Sequence, residues 1–121
     1  TRVKALLLAT LLLIYNPGPG FTQDRPRQTQ TVTITATAYC LSGKMASGQK
    51  TYPGVIALSR DLERDLGVRF GDIIIIEGVG EFVFKDRMPR KWSRRVDIYY
   101  PTVRQCRVFG VKTCKLYAKV R

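Results

Sequence analysis

Two aspartates flank a basic stretch, KDRMPRKWSRRVDIYY (85–100). Asp86 follows an apolar, strand-like run and Asp97 lies inside the next one. The whole chain has 9 Asp and Glu against 21 Lys and Arg, so acids at two such positions are candidates for chemistry. Two carboxylates held close together push one pKa upward, which lets one act as a proton donor at neutral pH. Neighbouring Arg and Lys act the other way, and Arg87, Arg94 and Arg95 offer simple ion pairing instead. Asp61 suits an acid at a helix N-terminus. With no histidine, Ser-His-Asp and Cys-His catalysis and His-ligated zinc are excluded. Cys40, Cys106 and Cys114 are too few and wrongly spaced for a four-thiolate metal centre. The remaining titratable chemistry belongs to carboxylates, lysines, tyrosines and these thiols.

Other residues could line a site around the acids. Ser47, Gly48 and Lys50 belong to the loop CLSGKMASGQKTYPG (40–54), with Lys50 either a solvated charge or a substrate contact. Tyr39 and Tyr99 suit stacking against a ligand or a barrel core. Trp92, the single tryptophan, is a candidate exposed stacking platform in the basic loop.

Short strands must position these residues. TVTITATAY (31–39) alternates at period two, as a half-buried strand does, and VIAL (55–58) is a short apolar strand. Ser59 caps a predicted helix that Gly67 stops. DIIIIE (72–77) reads as a strand buried on both faces. GVG (78–80) turns into EFVFKD (81–86) as a hairpin, and RVDIYY (95–100) is a further strand. Pro101 opens a second predicted helix reaching about residue 109, and VKTCKLYAKV (111–120) is the last strand. The expectation is a mainly β fold, a small six-stranded barrel with two short helices, over residues 31–121.

Composition is ordinary, 45% apolar and 25% charged, but the net charge of +12 is not. It implies an anionic partner such as nucleic acid, lipid or an acidic wall polymer. Arg2 and Lys4 precede an uncharged apolar run, ALLLATLLLIY (5–15), and NPGPG (16–20) follows. As a helix the run would span about 16 Å, half a bilayer core. Residues 1–20 therefore read as a signal peptide or short N-terminal anchor, with any membrane contact confined to that segment, and 21–30 as a flexible linker. Export argues against a nucleic-acid partner and permits disulfides. Cys106–Cys114 is one candidate pair, and a buried free thiol is the other reading.

Five blocks in order, TATAY (35–39), ASGQKTYPGVIALS (46–59), GDIIIIEGVGEFVFKDRM (71–88), RVDIYY (95–100) and FGVKTCKLY (109–117), resemble the three-aspartate ("3D") domain family over nearly the whole of 31–120. The resemblance implies a double-psi β-barrel similar to the stationary-phase-survival muralytic enzymes. It also implies lytic transglycosylase cleavage of peptidoglycan in the periplasm, envelope or extracellular space, by a monomer without metal or organic cofactor. Asp86 and Asp97 match the second and third family aspartates and Lys50 the family's loop lysine. The first aspartate falls on Ser59, with Asp61 two residues on. That departure favours the rival expectation, a non-catalytic polysaccharide-binding module.

Overall fold

The computed structural model describes residues 29–119. The leader (1–20) and most of the linker (21–30) read from the sequence lie outside the described residues. Six strands close into one barrel: β1 (Val32–Tyr39), β2 (Val55–Leu58), β3 (Ile73–Ile76), β4 (Gly80–Arg87), β5 (Arg95–Tyr99) and β6 (Lys112–Ala118). Two helices interrupt them, α1 (Arg60–Leu66) after β2 and α2 (Val103–Phe109) after β5. The fold is mainly β, as the period-two alternation predicts, and its mixed six-stranded closure is compatible with a double-psi barrel.

The order around the barrel is β1-β5-β2-β4-β3-β6. The β1/β5 and β2/β4 pairs are parallel, and the other four are antiparallel. The wiring has a two-fold character. Exchanging β1 with β4, β2 with β5 and β3 with β6 reproduces the same ring and the same strand directions. Each half is strand, strand, helix, strand. The barrel is filled by alternate residues, among them Ile34 and Ala36 of β1, Ile56 and Leu58 of β2, Ile74 and Ile76 of β3, Phe84 of β4, Val96 and Ile98 of β5, and Leu116 and Ala118 of β6. Closure leaves none of these six strands as an edge for pairing with another chain.

Three expectations about local structure change. The Ile73–Ile76 run alternates half-buried and buried residues, so it fills the barrel on one face only, and it pairs antiparallel with both neighbours. A continuous β-branched run mimics a doubly covered strand in sequence, but here one side meets only partial cover. Ser59 takes the N-cap position of α1 without a side-chain capping bond. At α2 the cap is Thr102, not Pro101: the Thr102 hydroxyl accepts from Gln105 N while the Gln105 side chain accepts from Thr102 N, a complete capping box.

Candidate functional site

The registers assemble the site from four adjacent strands. Thr37 pairs with Asp97 across β1/β5, Asp97 with Ala57 across β5/β2, and Ala57 with Asp86 across β2/β4. The four residues form one row, Thr37–Asp97–Ala57–Asp86, running around the barrel. Their chain neighbours Ala36, Ile56, Leu58, Val96 and Ile98 point into the core, so the row faces outward. Two interstrand spacings separate the acids' backbones, about 10 Å between Cα atoms. Ala57 between them is buried and carries only a methyl group, so no long side chain stands between the two carboxylates.

Asp86 reaches this face because of a bulge. The β2/β4 register pairs Ile56 with Phe84 and then Ala57 with Asp86, leaving Lys85 as an extra residue. In a regular strand that alternated through Lys85, the lysine would stand opposite Ala57 and Asp86 would turn toward the core.

The 40–54 loop docks on the bulge. Ala46 N donates to Asp86 Oδ1 at 2.9 Å and Ser47 N to the Lys85 carbonyl at 3.1 Å. Arg87 N also donates to Asp86 Oδ1, at 2.8 Å. The loop closes tightly through Met45 N to Gln49 O and Gly48 N to Met45 O, both 2.8 Å. At φ +94° Gly48 takes a conformation that side chains resist. Met45 drops into a second small core with Val55 and Tyr99, against which Tyr39 packs. The rings of Tyr39 and Tyr99 meet edge to face, 5.5 Å between centroids. Lys50 is exposed, bridged to Lys44 across the loop.

Neither acid lies in an arginine fork, and the three ion pairs among the described residues bypass both. Arg87 instead grips Glu63 with two bonds, 2.7 and 2.9 Å, and lies over the Phe70 ring. The Asp97 carboxyl is pushed above the usual carboxylate range, first by burial. The charge of Asp86 adds to that, while a 3.2 Å bond from the Thr37 hydroxyl and the charge of Arg95 oppose it. Tyr39 is driven well above the ordinary phenol range by burial, then by the charges of Asp86 and Asp97. Its hydroxyl and that of Ser47 are buried with no hydrogen-bond partner. A protonatable acid, a second carboxylate and two unsatisfied hydroxyls therefore share one outer face.

Asp61 and Ser59 stand apart from the row and fasten the basic loop. Asp61 Oδ2 accepts from Arg94 N at 2.9 Å and from the Ser93 hydroxyl at 3.1 Å. Burial acts to raise its carboxyl, but bonds from Ser59, Arg94, Ser93 and Leu62 outweigh that and hold it below its ordinary value. The clamp fixes Arg94 at φ +48°, left-handed and unusual for a residue with a side chain. Ser59 is fully buried, accepting from Arg95 N at its Oγ (3.1 Å) and donating its own N–H to Arg95 O (2.9 Å). Trp92 is half-buried, with the Arg95 guanidinium 4.1 Å and the Lys91 ammonium 5.1 Å from its ring centre.

Sequence reasoning missed Thr37, Ala57, Ala46 and Met45. Thr37 was legible only as one of several alternating threonines, and Ala57 only as the small residue in VIAL. Nothing in the sequence marks the Lys85 bulge. Among the described residues, no three His, Cys, Asp or Glu gather as a metal site, and no helix is long and apolar enough to cross a membrane. Two cavities of about 410 Å³ lie elsewhere, one around Tyr100, Arg104 and Phe109, the other around Thr29, Leu62 and Arg94. Comparison with protein-family models and with curated proteins finds no match, so the three-aspartate resemblance rests on its motifs alone.

Proposed function

We propose that the domain is an exported enzyme that cleaves the glycan strands of peptidoglycan, with Asp97 as acid and base and Asp86 as the stabilising carboxylate. The observation that supports this most is Asp97 itself: a half-buried acid with a raised pKa, outside any ion pair, in one row with a second carboxylate. A protonated Asp97 gives its proton to the glycosidic oxygen as the C1–O bond breaks. Asp86 offsets the positive charge that develops at the sugar ring. The Asp97 carboxylate then takes the proton of the muramyl 6-hydroxyl as that oxygen attacks C1, giving the 1,6-anhydro product and restoring the acid. Tyr39 and Ser47 near the acids, and Lys50 on the same loop as Ser47, serve as substrate contacts, and the chain's net charge of +12 draws it to an anionic wall.

Purified sacculi incubated with the protein, followed by mass spectrometry of the soluble fragments, test the reading. Release of anhydro-muropeptides that disappears in Asp97→Asn is expected. Water-terminated fragments would make the enzyme a hydrolase. Intact sacculi carrying bound protein would favour a non-catalytic polysaccharide-binding module. One observation speaks for the module: both hydrogen bonds to Asp86 fall on Oδ1 and serve to fasten the chain around it.

A further inference from the structure

We propose that Cys40 and Cys106 form a disulfide that ties the root of the 40–54 loop to helix α2, leaving Cys114 as the unpaired thiol. The reasoning stands on contacts independent of glycan cleavage. Tyr100 N donates to the Tyr39 carbonyl at 2.9 Å, bringing the end of β1 beside the segment that leads into α2. Cys40 is the next residue after Tyr39. On the other side, Cys106 occupies the one half-buried turn position in the middle of α2, and its Sγ lies 3.9 Å from the Tyr100 carbonyl. Both cysteines therefore converge on Tyr100. All three cysteines are free thiols in the structure. The Cys106–Cys114 pairing read from sequence is not formed. Cys114 sits in β6 opposite Ile34, packed against the barrel core.

The electrostatics agree with that placement. The Cys106 thiol is held above its ordinary value by burial first and then by Cys40, with Asp97 adding to the effect. The charge of Asp97, on the strand that leads into Tyr100, is thus felt at the Cys106 thiol. The oxidant is a disulfide, either glutathione disulfide or that of a thiol–disulfide oxidoreductase. One protein thiolate attacks a sulfur of the oxidant, forming a mixed disulfide and releasing one thiolate. The second protein thiolate attacks the protein sulfur of that bond, closing Cys40–Cys106 and releasing the other thiolate. Two electrons pass to the oxidant and the two thiol protons leave with the released thiols or to water.

Trypsin separates the three cysteines into different peptides, 28–44, 105–107 and 113–115, which makes the test direct. The folded full chain is equilibrated with glutathione disulfide, alkylated, digested without reductant and analysed by mass spectrometry. The expected result is a linked 28–44/105–107 species and a thiol titre that falls from 3 to 1. Cys114→Ser should form the same link. Cys40→Ser should keep Cys106 from forming an intramolecular bond while circular dichroism shows the barrel intact. A link that includes 113–115, or three thiols surviving oxidation in the folded chain, would overturn the proposal.

Discussion

At equivalent places in the two-fold wiring, the first half of the barrel carries Thr37 and Ala57 and the second half carries Asp86 and Asp97. The exchange of β1 with β4 and β2 with β5 brings Thr37 onto Asp86 and Ala57 onto Asp97 in the row. The backbone addresses match and the chemistry does not. Both charges come from one half, while the other supplies a hydroxyl donor and a methyl group. The helices differ in the same sense. α1 buries Leu62 and begins at a fully buried Ser59. α2 buries no residue and stands on a capping box, with Val103 and Val108 exposed. The barrel core treats the halves alike, and the outer face tells them apart.

The core side of that comparison carries the largest expected effect. Ile56 and Ile98 face each other across β2/β5, both fully buried. Ile56→Ala and Ile98→Ala should each cost about 2–5 kcal/mol. Urea denaturation should give nearly equal losses for the two, with a double variant that is not additive because the residues touch. A large difference between them would break the equivalence of the halves at its centre.

The helix starts should separate the halves. Ser59→Ala leaves the buried Arg95 N–H without its acceptor, at about 1–3 kcal/mol. Thr102→Ala removes one exposed cap, at about 1 kcal/mol. Equal losses in thermal or urea melts would mean that burial at α1 brings no extra dependence on its first residue.

The smallest expected effect is a pH dependence at Asp97. Burial raises its folded pKa, so the folded protein keeps a proton that the unfolded chain has already lost. Stability from this group is therefore full below the ordinary carboxylate value and declines as pH rises through the raised one. Asp97→Asn keeps an oxygen for the Thr37 hydroxyl and removes the titration. The variant should gain stability relative to the parent between pH 4 and pH 7, read by denaturant melts at both values. A constant difference across that range would show that Asp97 does not carry the proton in the folded state.

Much of the scaffold was legible in the sequence because strands and short helices announce themselves locally. The β1 alternation, the Gly67 stop and the glycine hairpin at 78–80 each depend on a few neighbouring residues. The site depends on register between strands far apart in the chain, such as Thr37 with Asp97, and no local pattern encodes it. Asp86 and Asp97 were visible as acids in a basic stretch. Their joint row was not, because it needs a bulge, two parallel pairs and an alanine between them. Ser59 looked like a helix cap and became a buried link to β5, since its hydroxyl had a closer donor in Arg95 N. The resemblance to the three-aspartate family pointed to the same two acids without the geometry.

The bulge at Lys85 also has a consequence for how the strand tolerates change. Ile56 pairs with Phe84 and Ala57 with Asp86, so the ladder on either side is complete without the residue between them. Lys85 is a supernumerary unit in β4. A chain lacking it would still present Asp86 beside Ala57, now on an even, unbroken strand. What would vanish is the carbonyl that receives Ser47 N. Removing a single codon is thus a way to release one tether of the 40–54 loop, while Ala46 N keeps its bond to Asp86 and the barrel and its two acids keep their places.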